Sequence, residues 1–450
     1  MSVINLGLED LLSPTTPNEF LAETWERTPL AIARDEPTHY GELLTLRDVD
    51  QIISYTRPRF HDTSAFHPGP ASRPTYVRGA LDQDPFSATD NPGLAQIRQV
   101  FDQGKSLVLM AMQHRWPAIA RLCRNLETVF RCPVHANMYL TPAGEQGFAA
   151  HFDPHEVFVL QLEGTKQWRL YEGGDELPLA IGGSGVPGKP LGKSREVRLK
   201  AGDFLYIPRG HVHEAFTSDT FSLHLTVGIN VYRWADLLRY ALTSISRRDV
   251  RFRESLREGA LPVDRAQLKQ QFQQLCERLA DSAHRDEIFD EAWQSLGDQF
   301  FSQLQILPGS QFTVSANLDR LDLDTVLENP APGLCRVVTN DQEVAIEFPG
   351  NRVAGPQRIA SALHFICGAR RFLVRSIPDD LNPQAKIVLA RRLVREGLLT
   401  ICEERPLVLP TISESGAREL DNEAATAPTV FWDGLDAEVV RRAEEVNVEG

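Results

Sequence analysis

The chain has 450 residues, 42% hydrophobic and 24% charged, the balance of a globular protein, and its length predicts two or three domains rather than one core. A net charge of −14 repels polyanions over most of the surface, which argues against nonspecific binding to nucleic acid or anionic membrane and leaves room only for a local basic patch. No apolar run approaches the ~20 residues of a membrane span, and the opening MSVINLGLEDLLS lacks the basic segment of a signal peptide.

In chain order, residues 1–50 predict short helices and connectors. Residues 51–95, rich in Pro, Asp, Ser and Thr, predict irregular structure. Over 96–131 the apolar residues Ile97, Val100 and Phe101, then Ile119, Leu122, Leu126 and Phe130, recur at helical steps. From 134 to 232 the texture changes. The runs ANMYLTP, EVFVLQLEG, KQWRLYE, EVRLKAGD, FLYIP and SLHLTVGINVY, broken by Gly and Pro, predict short strands of a sandwich or barrel. A Gly-rich stretch at 181–194 interrupts them. A long loop of this kind serves as a lid or substrate mouth, or is a plain surface loop.

Residues 233–306 read as helical, with Leu237, Leu238, Tyr240, Ala241, Leu268, Phe272 and Leu275 at helical spacing. Within 307–410, EVAIEFPG alternates like a hairpin strand. Pro356–Cys367 and Pro383–Arg395 read as amphipathic helices with proline near the start. LLTICEE reads as a strand, and the order outlines a winged helix. Arg370, Arg371, Arg391, Arg392 and Arg395 make a local basic cluster, with a solvated helix face as its plain reading, and nucleic-acid binding is not expected. Residues 411–450 are acidic and poor in apolar residues, a tail whose docking groups would be Phe431 and Trp432. The six cysteines, Cys123, Cys132, Cys276, Cys335, Cys367 and Cys402, form no CxxC and fit neither a zinc site nor a disulfide framework, in keeping with a reducing cytoplasm.

The chemistry concentrates in the strand-rich segment, which holds five of the twelve histidines between 151 and 224. In a strand, residues i and i+2 share a face, so His151 and Asp153 converge on one spot. Imidazole plus carboxylate is two thirds of a facial triad, the arrangement that leaves open positions on iron. A third ligand is offered about 60 residues later by GDFLYIPRGHVH, where His211 and His213 follow a Pro-Arg-Gly turn. HxD alone is weak evidence; HxD followed by this segment is much stronger.

The segments NMYLTPAGEQGFAAHFDPHEVFVLQLEGTKQWRLYE, GDFLYIPRGHVHEA and SLHLTVGIN resemble the JmjC-type ribosomal oxygenases, cupin-fold protein hydroxylases. FLAETWERTPLAI and ALHFICGARRFLVRSIPDDLNPQAKIVLARRLVREGLLT extend the likeness to about residues 15–405. The resemblance implies an α+β multidomain fold. It comprises a double-stranded β-helix barrel with a helical N-terminal flank (1–232), a helical dimerisation domain (233–306), a winged-helix-like domain (307–410) and an acidic tail (411–450).

It further implies Fe(II), held by His151, Asp153 and His213, with 2-oxoglutarate and O₂ as co-substrates. Lys166 matches the lysine that pairs with the far carboxylate of 2-oxoglutarate, and a buried ammonium is the natural counter-charge for it. Asn137 and Tyr139, on the preceding strand, match polar pocket residues. Thr226 is a second donor to that carboxylate, with His224 on the same face. His155 and His211 are extra histidines, read as lying at the rim or behind the ligands, where either could contact substrate. Val227-Gly228 stands where related enzymes often carry a serine, which bears on substrate choice.

The expected reaction couples oxidative decarboxylation of 2-oxoglutarate to hydroxylation of a side chain, at the β-carbon, in a protein such as a ribosomal protein. The expected protein is a cytoplasmic homodimer. Alternatives are the same chemistry on a peptide natural-product precursor or small molecule, a non-catalytic metal-binding cupin, and a zinc or manganese site. A histone demethylase would need a methyl-lysine cage and chromatin-reading modules that the sequence does not display.

Overall fold

The computed structural model describes residues 6–56, 63–66, 75–76, 94–146, 149–179, 191–256, 265–307, 318–378 and 380–402. The tail expected over 411–450 and most of the Gly-rich stretch lie outside them. The chain divides into two compact units, 1–309 and 310–450.

The first unit opens with α1 (Leu8–Leu12) and α2 (Pro17–Glu19), then β1 (Leu30–Ile32) and α3 (Leu46–Thr56). Two strands follow where irregular structure was expected, β2 (Thr63–Phe66) and β3 (Thr75–Tyr76). The helical reading of 96–131 also needs correction. α4 (Leu94–Asp102) and α5 (Pro117–Phe130) are separated by β4 (Ser106–Leu109). All four β4 residues are buried, so the strand shows no alternation, and a short apolar run of that kind cannot be told from helix by periodicity.

The strand-rich segment supplies β5 (Val134–Thr141), β6 (Glu156–Gly174), β7 (Ser194–Lys200), β8 (Phe204–Ile207), β9 (His211–Phe216) and β10 (Ser222–Ile229). With β1–β4 they form a ten-stranded sheet ordered β1-β8-β6-β10-β5-β4-β2-β3, with β7 and β9 also on β6. The two runs read as separate strands, EVFVLQLEG and KQWRLYE, are one continuous β6. Its first half pairs with β8 and β10, its second with β7 and β9. Gly164 marks the change of partner. Its φ of +67° and its close approach to the Phe221 carbonyl leave no room for a side chain.

Strand alternation divides the barrel into two layers. Phe158, Leu160 and Leu162 of β6, with Ala136 and Met138 of β5, face outward into a core shared with the N-terminal helices. Val157 and Val159 face inward with Trp168, Leu170, Leu205 and Ile207. The inward cluster is small, and the rest of the interior is polar.

Three helices complete the unit: α6 (Trp234–Arg248), α7 (Arg265–Ala283) and α8 (Asp286–Gln303). α6 packs on α8 through Ala241, Ile245, Ile288 and Ala292. Much of their apolar surface is uncovered. Trp234, Leu238 and Leu242 are exposed at steps of four on α6, and Phe289 stacks on exposed Trp293 along α8.

In the second unit β11 (Val326–Glu328), β12 (Arg336–Thr339), β13 (Val344–Phe348) and β14 (Asn351–Gly355) precede α9 (Ala360–Gly368). Then come β15 (Arg371–Leu373), α10 (Pro383–Arg395) and β16 (Thr400–Ile401). The strands form an antiparallel β12-β13-β14 meander and a β15-β11-β16 sheet. The Asn382 carboxamide oxygen accepts from the Ala385 N–H at 2.8 Å and Pro383 takes the first turn, so α10 starts where the sequence places it. LLTICEE contributes only two strand residues among those described. Within the basic cluster, Arg391 donates to the Asp319 and Leu321 carbonyls and Arg392 pairs with Glu396.

Candidate active site

His151 and Asp153 lie just before β6, with His151 on an isolated bridge rather than both in a ladder strand as the i, i+2 argument assumed. That bridge joins His151 to His213 on β9. The ligand-type atoms of His151, Asp153 and His213 all lie within 4.8 Å of one another. The Asp153 carboxylate is 4.0 Å from His151 Nε2 and 3.6 Å from His213 Nε2. His151 Nδ1 is 2.8 Å from the Ala149 carbonyl, and His213 Nδ1 is 3.0 Å from the His211 carbonyl. A carbonyl only accepts, so each Nδ1 carries the proton and each Nε2 presents a lone pair toward Asp153. Burial, helped by His151, pushes His213 down to about 4, so at neutral pH it is the uncharged ligand form. Two imidazoles and a carboxylate on one side of a point fit a divalent metal of the iron type.

A turn network holds β9 in place. Buried Glu156 accepts from the Tyr206 hydroxyl at 2.6 Å and from the Arg209 N–H at 3.2 Å. The Arg209 guanidinium lies between Glu156, at 3.2 Å, and Glu26, at 2.6 Å. Next along the chain, the Gly210 N–H donates to the Asp153 carbonyl at 2.8 Å. The Pro-Arg-Gly turn is thus pinned to both carboxylates and to the HxD segment.

Beyond the triad a row of polar side chains crosses β5 and β10. Register pairs Thr226 with Asn137, His224 with Tyr139 and Ser222 with Thr141. The Tyr139 hydroxyl bonds to the Thr226 and Asn137 side chains, burial pushes it well above the usual phenol range, and Asn137 accepts from the Ala111 N–H at 3.0 Å. Asn137, Tyr139 and Thr226 are therefore brought together. Lys166 is 2% exposed, and its ammonium donates to the Thr141 hydroxyl at 2.7 Å. Ser106 donates in turn to Thr141 at 3.0 Å. No carboxylate pairs with Lys166 among the described residues, and burial depresses it to about 7. The hydroxyl beside Lys166 is thus Thr141, whereas the sequence reading chose Thr226. Thr141 was legible as the next same-face position after Asn137 and Tyr139.

Trp168 was also missed, although it stands two residues after Lys166 and so on its face. Its ring links the two ends of the site, 5.9 Å from His213 and 5.7 Å from His224. His224 stacks on Tyr139 at 4.9 Å and leaves Nδ1 buried without a hydrogen-bond partner. Burial and the nearby Lys166 hold it uncharged. His211 is half-buried and contributes the carbonyl that orients His213. His155 stacks at 4.9 Å on His135, a residue the sequence reading passed over. His135 and His155 meet over Gly228, where a Cβ would collide with both rings.

Residues 108–237 match the JmjC domain family. Among curated proteins, the chain is 34% identical to the bifunctional lysine-specific demethylase and histidyl-hydroxylase NO66 of Drosophila erecta, across 57% of this chain and 38% of that one. It is 32% identical to ribosomal oxygenase 1 of Gallus gallus, across 63% of this chain and 49% of that one. The chain thus spans about half or less of these relatives' length. The ribosomal oxygenase YcfD of Escherichia coli covers 86% of this chain and 98% of its own at TM-score 0.51 and 17% identity. A structure of YcfD with cobalt and 2-oxoglutarate gives TM-score 0.50 at 17% identity, covering 85% of this chain and 97% of its own. At that identity the likeness establishes the fold. Residues 108–237 are thus similar to a JmjC domain, and the fold that holds them is a cupin-type barrel. The resemblance to JmjC ribosomal oxygenases read from its sequence is borne out by the family match and the curated relatives.

Proposed function

We propose that this chain is an Fe(II)- and 2-oxoglutarate-dependent oxygenase that hydroxylates an amino-acid side chain of a protein, such as a ribosomal protein, at the β-carbon. The observation that carries the reading is Lys166: a buried ammonium with a hydroxyl but no carboxylate beside it, in the same barrel interior as a two-histidine, one-carboxylate cluster. An unpaired buried cation is costly, and a dianionic co-substrate offsets that cost. His151, Asp153 and His213 hold the metal through Nε2, a carboxylate oxygen and Nε2. Lys166 and Thr141 hold the far carboxylate of 2-oxoglutarate, and Asn137, Tyr139 and Thr226 line the space between. Iron with 2-oxoglutarate and O₂ supplies the oxidant for an unactivated C–H bond, leaving succinate and CO₂. Trp168, Val157 and Val159 keep water from that space.

The helical segment 233–306 acts as a dimerisation domain in this reading, and the second unit is winged-helix-like. Support comes from the uncovered Trp234, Leu238, Leu242, Phe289 and Trp293, and from the order α9, β15, α10, β16. Among the described residues no helix is long and apolar enough to cross a membrane. A cytoplasmic location belongs to the same reading, supported by a cysteine spacing that fits no disulfide framework. The test is incubation with Fe(II), 2-oxoglutarate and total ribosomal protein, followed by mass spectrometry. One added oxygen on a defined residue, with succinate formed in step, supports the reading; succinate formation absent under every condition overturns it.

A further inference from the structure

We propose that Cys335 and Cys367 form a redox-modification site in the second unit, closed to a reversible disulfide by a low-molecular-weight disulfide of the glutathione type. The inference goes beyond the oxygenase reading and does not depend on it.

Cys335 stands immediately before β12 and Cys367 in the last turn of α9, 32 residues apart in the chain. Their sulfurs are 2.9 Å apart. The Cys367 thiol donates to the Cys335 carbonyl at 2.9 Å, and Cys335 Sγ lies 3.3 Å from the Cys367 carbonyl. Each sulfur thus reaches the other residue's backbone, so the two main chains approach as closely as a disulfide requires. Asn329, which is fully buried, holds that approach. Its N–H donates to the Arg370 carbonyl at 2.8 Å and its carboxamide to the Ile366 carbonyl at 3.4 Å, with Cys335 Sγ 3.7 Å from the same nitrogen. The thiols are therefore set against each other by the fold around them.

The two differ in access. Cys335 is buried, while Cys367 is half-buried and followed by exposed Gly368, where an added Cβ would meet open space. A small disulfide meets Cys367 first. The Cys367 sulfur, its proton given to water, attacks one sulfur of the reagent and expels the other as a thiolate, leaving a mixed disulfide. Cys335, deprotonated in turn, attacks the Cys367 sulfur and expels the second thiolate. In sum two cysteine thiols lose two electrons and two protons, and the reagent takes up both and leaves as two thiols. The bond closes a loop around the β12-β13-β14 meander and restricts the unfolded chain, which stabilises the unit. A pair that opens and closes in this way suits a reducing compartment, where such disulfides are transient and report oxidation.

The test takes the reduced full chain through buffers of rising oxidised-to-reduced glutathione ratio, quenches with acid, alkylates, and maps peptides without reduction by mass spectrometry. The native protein should yield the Cys335 and Cys367 peptides joined and lighter by two hydrogens. It should do so at a ratio about tenfold or more below that needed by the urea-unfolded chain, because the fold supplies a high effective concentration. Closing the bond should raise a melting transition by about 5 °C or more, a gain absent from Cys335→Ser and from Cys367→Ser. Exposed Cys276 reports that the reagent has acted. Glutathione on Cys276 while Cys335 and Cys367 are both still alkylated overturns the proposal. A joined pair that needs the same ratio folded and unfolded overturns it too.

Discussion

His151 and His213 exchange both of their backbone hydrogen bonds, His151 N–H to the His213 carbonyl at 3.0 Å and His213 N–H to the His151 carbonyl at 2.8 Å. Residues about 60 apart in sequence are thereby locked face to face before any metal arrives, with ring centroids 4.5 Å apart. The site is preorganised by its own backbone, and side-chain changes there should alter binding without unfolding the barrel. His213→Ala is expected to weaken Fe(II) binding by about 10–100-fold or more, read by equilibrium dialysis, with the circular dichroism spectrum preserved.

The metal-free protein should lose stability in acid through His213. Its folded pKa of about 4 lies below the ordinary histidine value, so the unfolded chain binds the proton first. That contribution is fully present above about pH 6.5 and is lost as pH falls toward 4. Thermal melts of the metal-free protein across this window should fall more steeply for wild type than for His213→Gln. Parallel slopes would contradict the assignment of His213 as a buried neutral ligand.

Lys166 separates stability from function. Lys166→Met removes a buried ammonium that lacks a counter-charge, and should stabilise the ligand-free protein by about 1–3 kcal/mol while abolishing measurable 2-oxoglutarate binding. Because the folded pKa is about 7, below the ordinary lysine value, the folded state releases its proton first. The lysine's burden on stability is full below pH 7 and fades as pH rises toward about 10.4. Binding of 2-oxoglutarate above pH 7 should therefore take up a proton, visible as a buffer-dependent enthalpy in calorimetry.

Arg209 is the partner that keeps Glu156 tolerable. Burial pushes Glu156 up to about 7 despite the Tyr206 hydroxyl and the guanidinium beside it. Arg209→Met leaves that carboxyl unpaired and should cost about 3–5 kcal/mol. Arg209→Met with Glu156→Leu should recover most of the loss, since the charge is then gone from both sides. Equal melting temperatures for the single and double variants would contradict this.

The uncovered faces of α6 and α8 predict a dimer that one charge disrupts. Trp293 is 61% exposed and stacked on Phe289. Trp293→Glu should shift sedimentation from dimer to monomer with the fold intact. A wild-type monomer at tens of micromolar would remove the dimerisation reading.

Much of this was legible in the residues. His151, Asp153, His213 and Lys166 carry motif spacing, and Pro383–Arg395 carries a cap, a proline and a helical period. β4 was not legible because complete burial removes the alternation that marks a strand. β6 was split in two because Gly164 reads as a turn, whereas here it lets one strand change partners. Thr141 and Trp168 carry no motif of their own, and only the two-residue period of their strands marks them as facing the site. The His135–His155 stack depends on Gly228, and a contact made possible by a missing side chain leaves no trace in periodicity.

One barrel interior holds both a candidate metal triad and a buried ammonium suited to 2-oxoglutarate. The most direct test of that pairing is anaerobic addition of Fe(II) and 2-oxoglutarate to the purified protein, watching for the weak visible charge-transfer band of the chelate, with His151→Ala and Lys166→Ala beside it. A band in wild type, absent in His151→Ala and weakened in Lys166→Ala, is the predicted result. Bound iron with no band in wild type would contradict the account.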